Sequence, residues 1–533
     1  MRRHRRLLAA TILSALAAAS LNACSDSDDV DDVDDRADID PRTYYDDYQQ
    51  GESDSLAYGT APLTASGQAE TSDSERADWP GVLEDNTFVD AGTSGFVATD
   101  ADPLSTFALD VDTGSYSVAS ELLGSGHRPP AASIRPEEWV NAYDYGYQAP
   151  SDADLGVYVD GGAAPSTADG TQLIRVGVKA REIDAADRPP VALTLVADTS
   201  GSMDIRDRLG LVKSSVALLA KHLRPTDTVA IVTYGDRAKA LLEPTPIGET
   251  GTILDAIDQL KPGGSTNMEA GLRQAYDQAR EAYRDDAINA VVLASDGVAN
   301  VGMTGAGGLA DMIQKAGADG IHLVTVGYGM GNYNDHLMEQ LADQGDGFYA
   351  YVDTFDEAQR LFVEDITGTL TVVARDARTR VAFDPELVES YRLIGYDNRA
   401  IADDDFTNDD VDAGEIGTGH EATALYEVHL RPGVESGAEI GTVDLRWEST
   451  DSGEVEQSTT PIAAADTETE ADESLRLAAA VADLAQLLKE STPVADRGVT
   501  LDDLAVAAAD LDADGVDGAA DLVRIIGQAQ QAE

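Results

Sequence analysis

Between about residues 171 and 370, short apolar runs alternate with longer stretches in which apolar residues recur every three or four positions. Val191–Ala197, Thr228–Tyr234, Ile288–Ala294 and Ile321–Val326 are near-continuous apolar runs of strand length, the pattern of strands buried on both faces. Arg206–Leu223, Met268–Tyr283, Gly308–Gly317 and Asn334–Gln344 carry one apolar face each and read as helices. Parallel strands need crossover connections, and this alternation supplies them. The order predicts an α/β module: a doubly wound, Rossmann-like, mainly parallel sheet.

The pattern changes on either side of the module. Between Asn86 and Gln148, Ser105–Val111 alternates like a half-buried strand, and Ser115–Leu123 and Arg135–Tyr145 read as helices. From about 371 to 463 the pattern is β-like, with Arg380–Phe383, Thr423–Arg431 and Gly441–Trp447 as strands of a small sheet. Glu473–Gln530 is rich in Ala and Leu at helical spacing, broken near Thr492-Pro493 and at Gly515. The expected division is an N-terminal flank over 86–170, the α/β module over 171–370, a β-rich flank over 371–463 and a helical region over 464–533.

The start of the chain reads as an address. Arg2, Arg3, Arg5 and Arg6 precede the apolar run Leu7–Ala19, followed by Leu21-Asn22-Ala23-Cys24. A basic start, a short apolar run and small residues describe a secretory signal peptide over 1–23, too short to span a bilayer of about 30 Å. Cys24 directly after Ala23 resembles a bacterial lipobox, in which the thiol is acylated, although Asn22 departs from the usual Ala, Ser or Thr. That resemblance implies a lipid anchor in the cell envelope. By resemblance to enterobacterial lipoprotein sorting, Ser25 in place of Asp favours the outer membrane and periplasm if the cell is Gram-negative. Residues 24–85 then comprise the lipidated Cys and an Asp-, Ser- and Gly-rich stretch, including Asp28–Asp35, expected to be a disordered acidic tether.

Composition excludes some functions. The 533 residues hold 98 Asp and Glu against 37 Lys and Arg, a formal charge of -61, so nucleic-acid binding is not expected. A lone Cys rules out an intramolecular disulfide. Few of the basic residues are Lys, and with so many Asp the balance fits an exported, salt-adapted protein, the alternative being a GC-rich genome and an ordinary solvated acidic surface.

The chemistry concentrates in three loops of the module. The first strand ends in Asp198-Thr199-Ser200-Gly201-Ser202-Met203. Gly263-Gly264-Ser265-Thr266-Asn267 precedes the helix at Met268, and Ser295-Asp296-Gly297 ends the strand Ile288–Ala294. Ligands of open α/β sheets bind outside the carboxyl ends of the strands, where strand order reverses. Asp198, Ser200, Ser202, Thr266 and Asp296 should therefore converge at one edge. Ser and Thr at such positions also cap helices, and an Asp also satisfies a turn, but three motifs in this order favour a shared site.

In order and spacing these five residues resemble the metal-ion-dependent adhesion site of the von Willebrand factor type A domain. The resemblance implies a hard cation, Mg²⁺ first and Ca²⁺ or Mn²⁺ behind it. It implies Ser200 and Ser202 as direct ligands and Thr266 as a direct or water-mediated one. Asp198 and Asp296 would mostly hold the hydroxyls and waters in place. A cation with few bound carboxylates keeps positive charge and takes a carboxylate from a protein partner. Phe107–Tyr116, Tyr391–Arg399, Asp412–Gly417 and Thr423–Glu427 are similar to the flanks of YfbK-type von Willebrand factor A lipoproteins, over roughly residues 86–530. The acidic tether departs from that family.

Other motifs carry less. Asp112-Thr113-Gly114-Ser115 looks like an aspartic-protease loop, but that chemistry needs a second such loop, so it reads as a turn. Asp510-Leu511-Asp512-Ala513-Asp514-Gly515 begins like an EF-hand, with Asp521 at the twelfth position. Asp517 replaces the expected apolar residue and the last ligand is not Glu, so an acidic turn between helices is expected. His222, His322 and His336 lack metal spacing. No nucleophile elbow, zinc helix or phosphate loop appears, so neither an enzyme nor a small-molecule substrate is expected. The expected function is a lipid-anchored envelope protein that binds an acidic residue of a protein partner through the cation. The alternatives are an envelope assembly or stress factor working with other subunits, as in chelatase and ATPase systems, and an enzyme with its chemistry in the flanks.

Overall fold

A computed structural model of the chain describes residues 39–47, 88, 90, 92–109, 111–163, 170–204, 208–297, 306–329, 335–408, 411, 413–466 and 471–532. The expected signal peptide, Cys24 and most of the expected tether lie outside these residues. Four strands come first: β1 (Val97–Ala98), β2 (Leu104–Ala108), β3 (Leu155–Ala163) and β4 (Gln172–Ala180). The α/β module contributes β5 (Val191–Asp198), β6 (Thr228–Tyr234), β7 (Lys239–Pro246), β8 (Ile288–Ser295), β9 (Ile321–Tyr328) and β10 (Tyr349–Val352). After it come β11 (Val372–Phe383), β12 (Val388–Ile394), β13 (Gly414–Gly417), β14 (Glu421–Leu430), β15 (Glu439–Ser449) and β16 (Val455–Ala463).

The module's sheet has the order β10-β9-β8-β5-β6-β7 and is parallel except for β7, which runs antiparallel to β6. Every residue of β5 is buried, because alternate side chains face helices on opposite sides. Leu193, Leu195 and Ala197 meet the helices Arg208–His222, Thr250–Asp258 and Phe355–Gln359. Val196 faces the other layer, Met268–Ala282, Ala306–Ala318 and Asp335–Asp343. From β5 the chain goes first to β6 on one side and then to β8 on the other. The carboxyl ends of β5 and β8 therefore flank the point where the winding reverses. β7, β10 and the helix Thr250–Asp258 were not expected: β7 is a half-exposed edge strand with two Pro, and β10 is four residues long.

The expected domain boundaries need correction. β4, assigned above to the α/β module, pairs instead with β14 and β3 in the antiparallel sheet β1-β12-β14-β4-β3. β2 pairs with β11 in a second antiparallel sheet, β13-β11-β15-β16. Strands from before and after the module thus share both sheets. They also share one core, in which Ile174, Val176 and Val178 pack with Val381, Tyr426, Val443 and Trp447. The flanks are one β body, and the α/β module is inserted into it between β4 and β11. Periodicity alone does not distinguish a buried strand of one sheet from that of another, because the partner is chosen by non-local contacts.

Helices from both chain ends cover this body together. Glu473–Leu488, Leu501–Asp514 and Ala519–Ala529 pack with Gly114–Gly124 and Pro136–Asn141 over Leu173, Ile394 and Leu425. Arg399 of the body fastens the module, donating to Glu339 at 3.0 Å and Asp343 at 3.1 Å on the helix Asp335–Asp343. A Cβ at Gly114 would overlap the Tyr349 ring of β10, so the flank helix approaches the module as closely as glycine permits.

Part of the expected tether is docked. Residues 42–47 are helical, and the buried Ser214 hydroxyl donates to the Pro41 carbonyl at 2.8 Å. Ile39, Tyr44 and Tyr45 pack against the module core, and the Arg42 guanidinium lies 4.9 Å from the centroid of the Phe355 ring. The acidic average of the stretch hid these few apolar residues. Replacing Tyr44 and Tyr45 together by Ala should lower the unfolding free energy by about 1–3 kcal/mol, read as an earlier urea midpoint. An unchanged midpoint would mean that the segment is a free leash.

Candidate metal centre

At the end of β5 the chain turns at once into the single 3₁₀ turn Gly201–Asp204. Asp198 Oδ1 accepts the Ser200 amide at 2.8 Å, and Oδ2 accepts the Ser295 hydroxyl from the end of β8 at 3.1 Å. Those bonds fix the carboxylate between two strand ends. The Ser200 and Ser202 hydroxyl oxygens lie 3.0 Å apart, so the two side chains turn to the same side of the loop.

The second loop is stapled to the first. Gly263 N–H donates to the Thr199 carbonyl at 2.7 Å, and Gly201 N–H donates to the Gly264 carbonyl at 3.2 Å. Gly264 has φ +92°, and a Cβ there would come within 3.0 Å of the Asp236 carboxyl carbon, so only glycine suits this turn. Thr266 follows this loop, fully buried, and Asn267 caps the next helix by accepting the Ala270 amide at 3.0 Å. Asp198, Ser200, Ser202 and Asp296 are thus assembled at one edge, with Thr266 on the loop bonded to them.

Two participants escaped sequence reasoning. Arg208, 1% exposed, donates from Nη1 to Asp296 Oδ2 at 2.8 Å and to the Ser202 carbonyl at 3.1 Å. Gly329, at φ +71°, makes room for it, since a Cβ there would lie 2.8 Å from Arg208 Cγ. The second is Asp236, whose Oδ1 accepts both the amide and the hydroxyl of Ser265 at 2.8 Å. Those bonds hold its carboxyl below the usual range.

Asp198 and Asp296 are both fully buried. Burial, and then the neighbouring Asp296, push the Asp198 carboxyl up to about 7. The donors here are hydroxyl and carboxylate oxygens, which suit a hard cation. The 3.0 Å between the two Ser oxygens also fits adjacent ligands of an octahedral Mg²⁺, which metal–oxygen distances of about 2.0–2.1 Å place about 2.9 Å apart. Among the described residues no group of three or more His, Cys, Asp or Glu is arranged for a metal, so a cation here would rest on the hydroxyls.

The remaining candidates fall elsewhere. Cys24 lies outside the described residues. Asp510, Asp512 and Asp514 belong to the last turns of the helix Leu501–Asp514, and Asp521 accepts hydrogen bonds from Tyr116 and Tyr143, so they form no ligand loop. Asp112 pairs with Arg399 ahead of the helix Gly114–Gly124. His322 is enclosed beside Arg375, and burial and that cation press its imidazole down to about 4.

Known proteins resemble this chain in three stretches. Residues 192–364 match the von Willebrand factor type A domain, 82–175 the description von Willebrand factor, and 368–532 the C-terminal region of the uncharacterized protein YfbK. The first match falls on the inserted module, and the other two on the body around it. The uncharacterized protein YfbK of Escherichia coli is 38% identical over 342 residues, 62% of this chain but 58% of that protein's length. The uncharacterized protein sll0103 of Synechocystis sp. is 24% identical over 298 residues, 54% of this chain and 69% of that one. Among solved structures, a von Willebrand factor type A protein from Catenulispora acidiphila shares 17% identity at a TM-score of 0.43, covering 72% of this chain and 91% of that one.

The raised Asp198 carboxyl has a measurable consequence without metal. Its folded value lies above the ordinary 3.8, so between about pH 4 and 7 the folded state holds the extra proton. The stability this group contributes is present at low pH and declines as pH rises through that window, by at most about 1.4 kcal/mol per unit. In EDTA, Asp198→Asn should therefore gain on the wild type between about pH 5 and 7 in urea unfolding. Parallel profiles would show that Asp198 is not perturbed.

Proposed function

Because the chain is a YfbK-like von Willebrand factor type A protein, we propose that it is a binding protein of the cell envelope, anchored by a lipid on Cys24. In this reading Ser200, Ser202 and Thr266, with Asp198 and Asp296 behind them, hold a divalent cation, Mg²⁺ first and Ca²⁺ or Mn²⁺ as substitutes. The bound cation supplies a Lewis-acidic position for a carboxylate of a protein partner. The observation that carries the proposal is the convergence of three loops at the switch point of the sheet, with two Ser hydroxyls 3.0 Å apart.

Charge supports the binding mode. With both buried carboxylates ionised, they and Arg208 sum to one net negative charge among the buried groups, and a dication turns that sum into one net positive charge. An acidic group is then attracted locally, although the chain as a whole carries a formal charge of -61. The two effects act over different distances, because salt screens the global field beyond about 8–10 Å while the contact at the cation persists.

The proposal is tested by metal-dependent capture from envelope extract. Capture should be lost in EDTA, restored by Mg²⁺, and lost again in Ser200→Ala; a bound partner indifferent to all three changes would sink the metal mechanism. At fixed Mg²⁺, capture should weaken as salt is lowered from about 0.15 M to about 0.01 M, because the unscreened acidic surface repels an acidic partner. Stronger capture at low salt would point to a basic partner held by bulk charge. Cys24→Ala should release the protein from the membrane fraction, and retention there would remove the lipid anchor from the reading.

A further inference from the structure

We infer that Arg208 sets the cation affinity of this site, holding it below what the oxygen ligands alone would give. The inference rests on the reading that the site takes a divalent cation. Arg208 is the one described basic side chain that hydrogen-bonds to both the first loop, at the Ser202 carbonyl, and the third, at Asp296. Both partners of the ion pair are shut off from water, at 1% and 0% exposure, so bulk solvent screens the charge poorly. A guanidinium stays charged at any working pH.

A simple brace would not need this residue. A neutral amide donates the same kind of hydrogen bonds without the cost of taking a cation out of water. The structure bears a further cost for Arg208. A Cβ at Gly329 would lie 2.8 Å from its Cγ, so the neighbouring loop forgoes a side chain to leave it room. The effect of a full charge here is electrostatic. Counting the buried groups alone, with both carboxylates ionised as a bound cation favours, the empty site bears one net negative charge with Arg208 and two without it. A dication is therefore bound more weakly in the presence of Arg208, but the loaded site keeps one positive charge to offer an acidic group. Without Arg208 the loaded site would be neutral.

The test is a charge series on the full-length protein, stripped of metal and titrated calorimetrically with MgCl₂ and, in parallel, MnCl₂. The variants are Arg208→Met, Asp296→Asn, the double variant R208M/D296N, and Ser200→Ala as the site control. Circular dichroism and urea midpoints establish that each is folded. A unit charge this close to a dication should alter affinity at least about tenfold. Arg208→Met should bind at least about tenfold tighter than wild type and Asp296→Asn at least about tenfold weaker. The double variant, whose net charge equals that of the wild type, should return to within about threefold of it.

If Arg208 were only a brace, Arg208→Met would bind more weakly and the double variant more weakly still, and the inference would be overturned. If Arg208→Met fails to fold because Asp296 is left buried and unpaired, the comparison of R208M/D296N with D296N decides. The double variant should then bind at least about tenfold tighter, and equal or weaker binding overturns the inference. Wild-type binding that is lost in Ser200→Ala, with an affinity order that ignores charge, removes this inference and leaves the metal site standing. Binding by neither wild type nor any variant removes the metal reading, and this inference with it.

Discussion

Two carboxylates, Asp198 and Asp296, are buried side by side where the winding of the central sheet reverses, and the surrounding loops are arranged to keep them there. Burial of one charge beside another of the same sign is among the costliest arrangements in a protein interior. Each carboxylate is relieved differently. Asp296 has the Arg208 guanidinium, and Asp198 has the Ser200 amide, the Ser295 hydroxyl and an affinity for its own proton. Those same bonds turn the Ser200 and Ser202 hydroxyls together and set the helix Arg208–His222 against the first loop. The placement of the two hydroxyls is thus a by-product of satisfying two acids out of water.

The module was legible from its sequence because its information is local. Apolar runs buried on both faces, separated by amphipathic segments, place β5, β6, β8 and β9 with little displacement, and the site residues follow at the strand ends. What was not legible depended on distant partners. β4 reads as another buried strand, yet its neighbours, β3 and β14, lie on either side of the insertion in sequence, so no window contains the reason for its pairing. Arg208 and Asp236 were missed because their roles depend on which loop lies within reach of a side chain. In residues 39–47 three apolar side chains outweigh the acidic composition that surrounds them.

The inserted topology also explains why the flanks belong to one body. Because β4 leads into the module and β11 leads out, the two strands must find a common core after the chain has made a long excursion. The entry is fixed by charge: Arg188 pairs with the fully buried Asp227 at 2.7 Å, and Asp227 also accepts the amide of Val191, where β5 begins, at 2.9 Å. The exit at Gly368–Val372 lines one cavity with Ile288, Ala290 and His322 at the amino ends of β8 and β9. Arg399 then holds the helix Asp335–Asp343 from the side.

Both covalent connections therefore leave the module from the amino edge of its sheet, while the assembled hydroxyls and carboxylates stand at the opposite, carboxyl edge. A tug applied at the site travels along the strands rather than across them, through the full length of β5 and its parallel neighbours. It then divides between β4 and β11, each flanked by neighbours on both sides, so neither is free to peel away like an unpaired edge. Loads of this kind are met by many hydrogen bonds sheared together instead of one at a time. The inserted domain thus passes a load on its carboxyl edge to two strands that each lie inside a sheet.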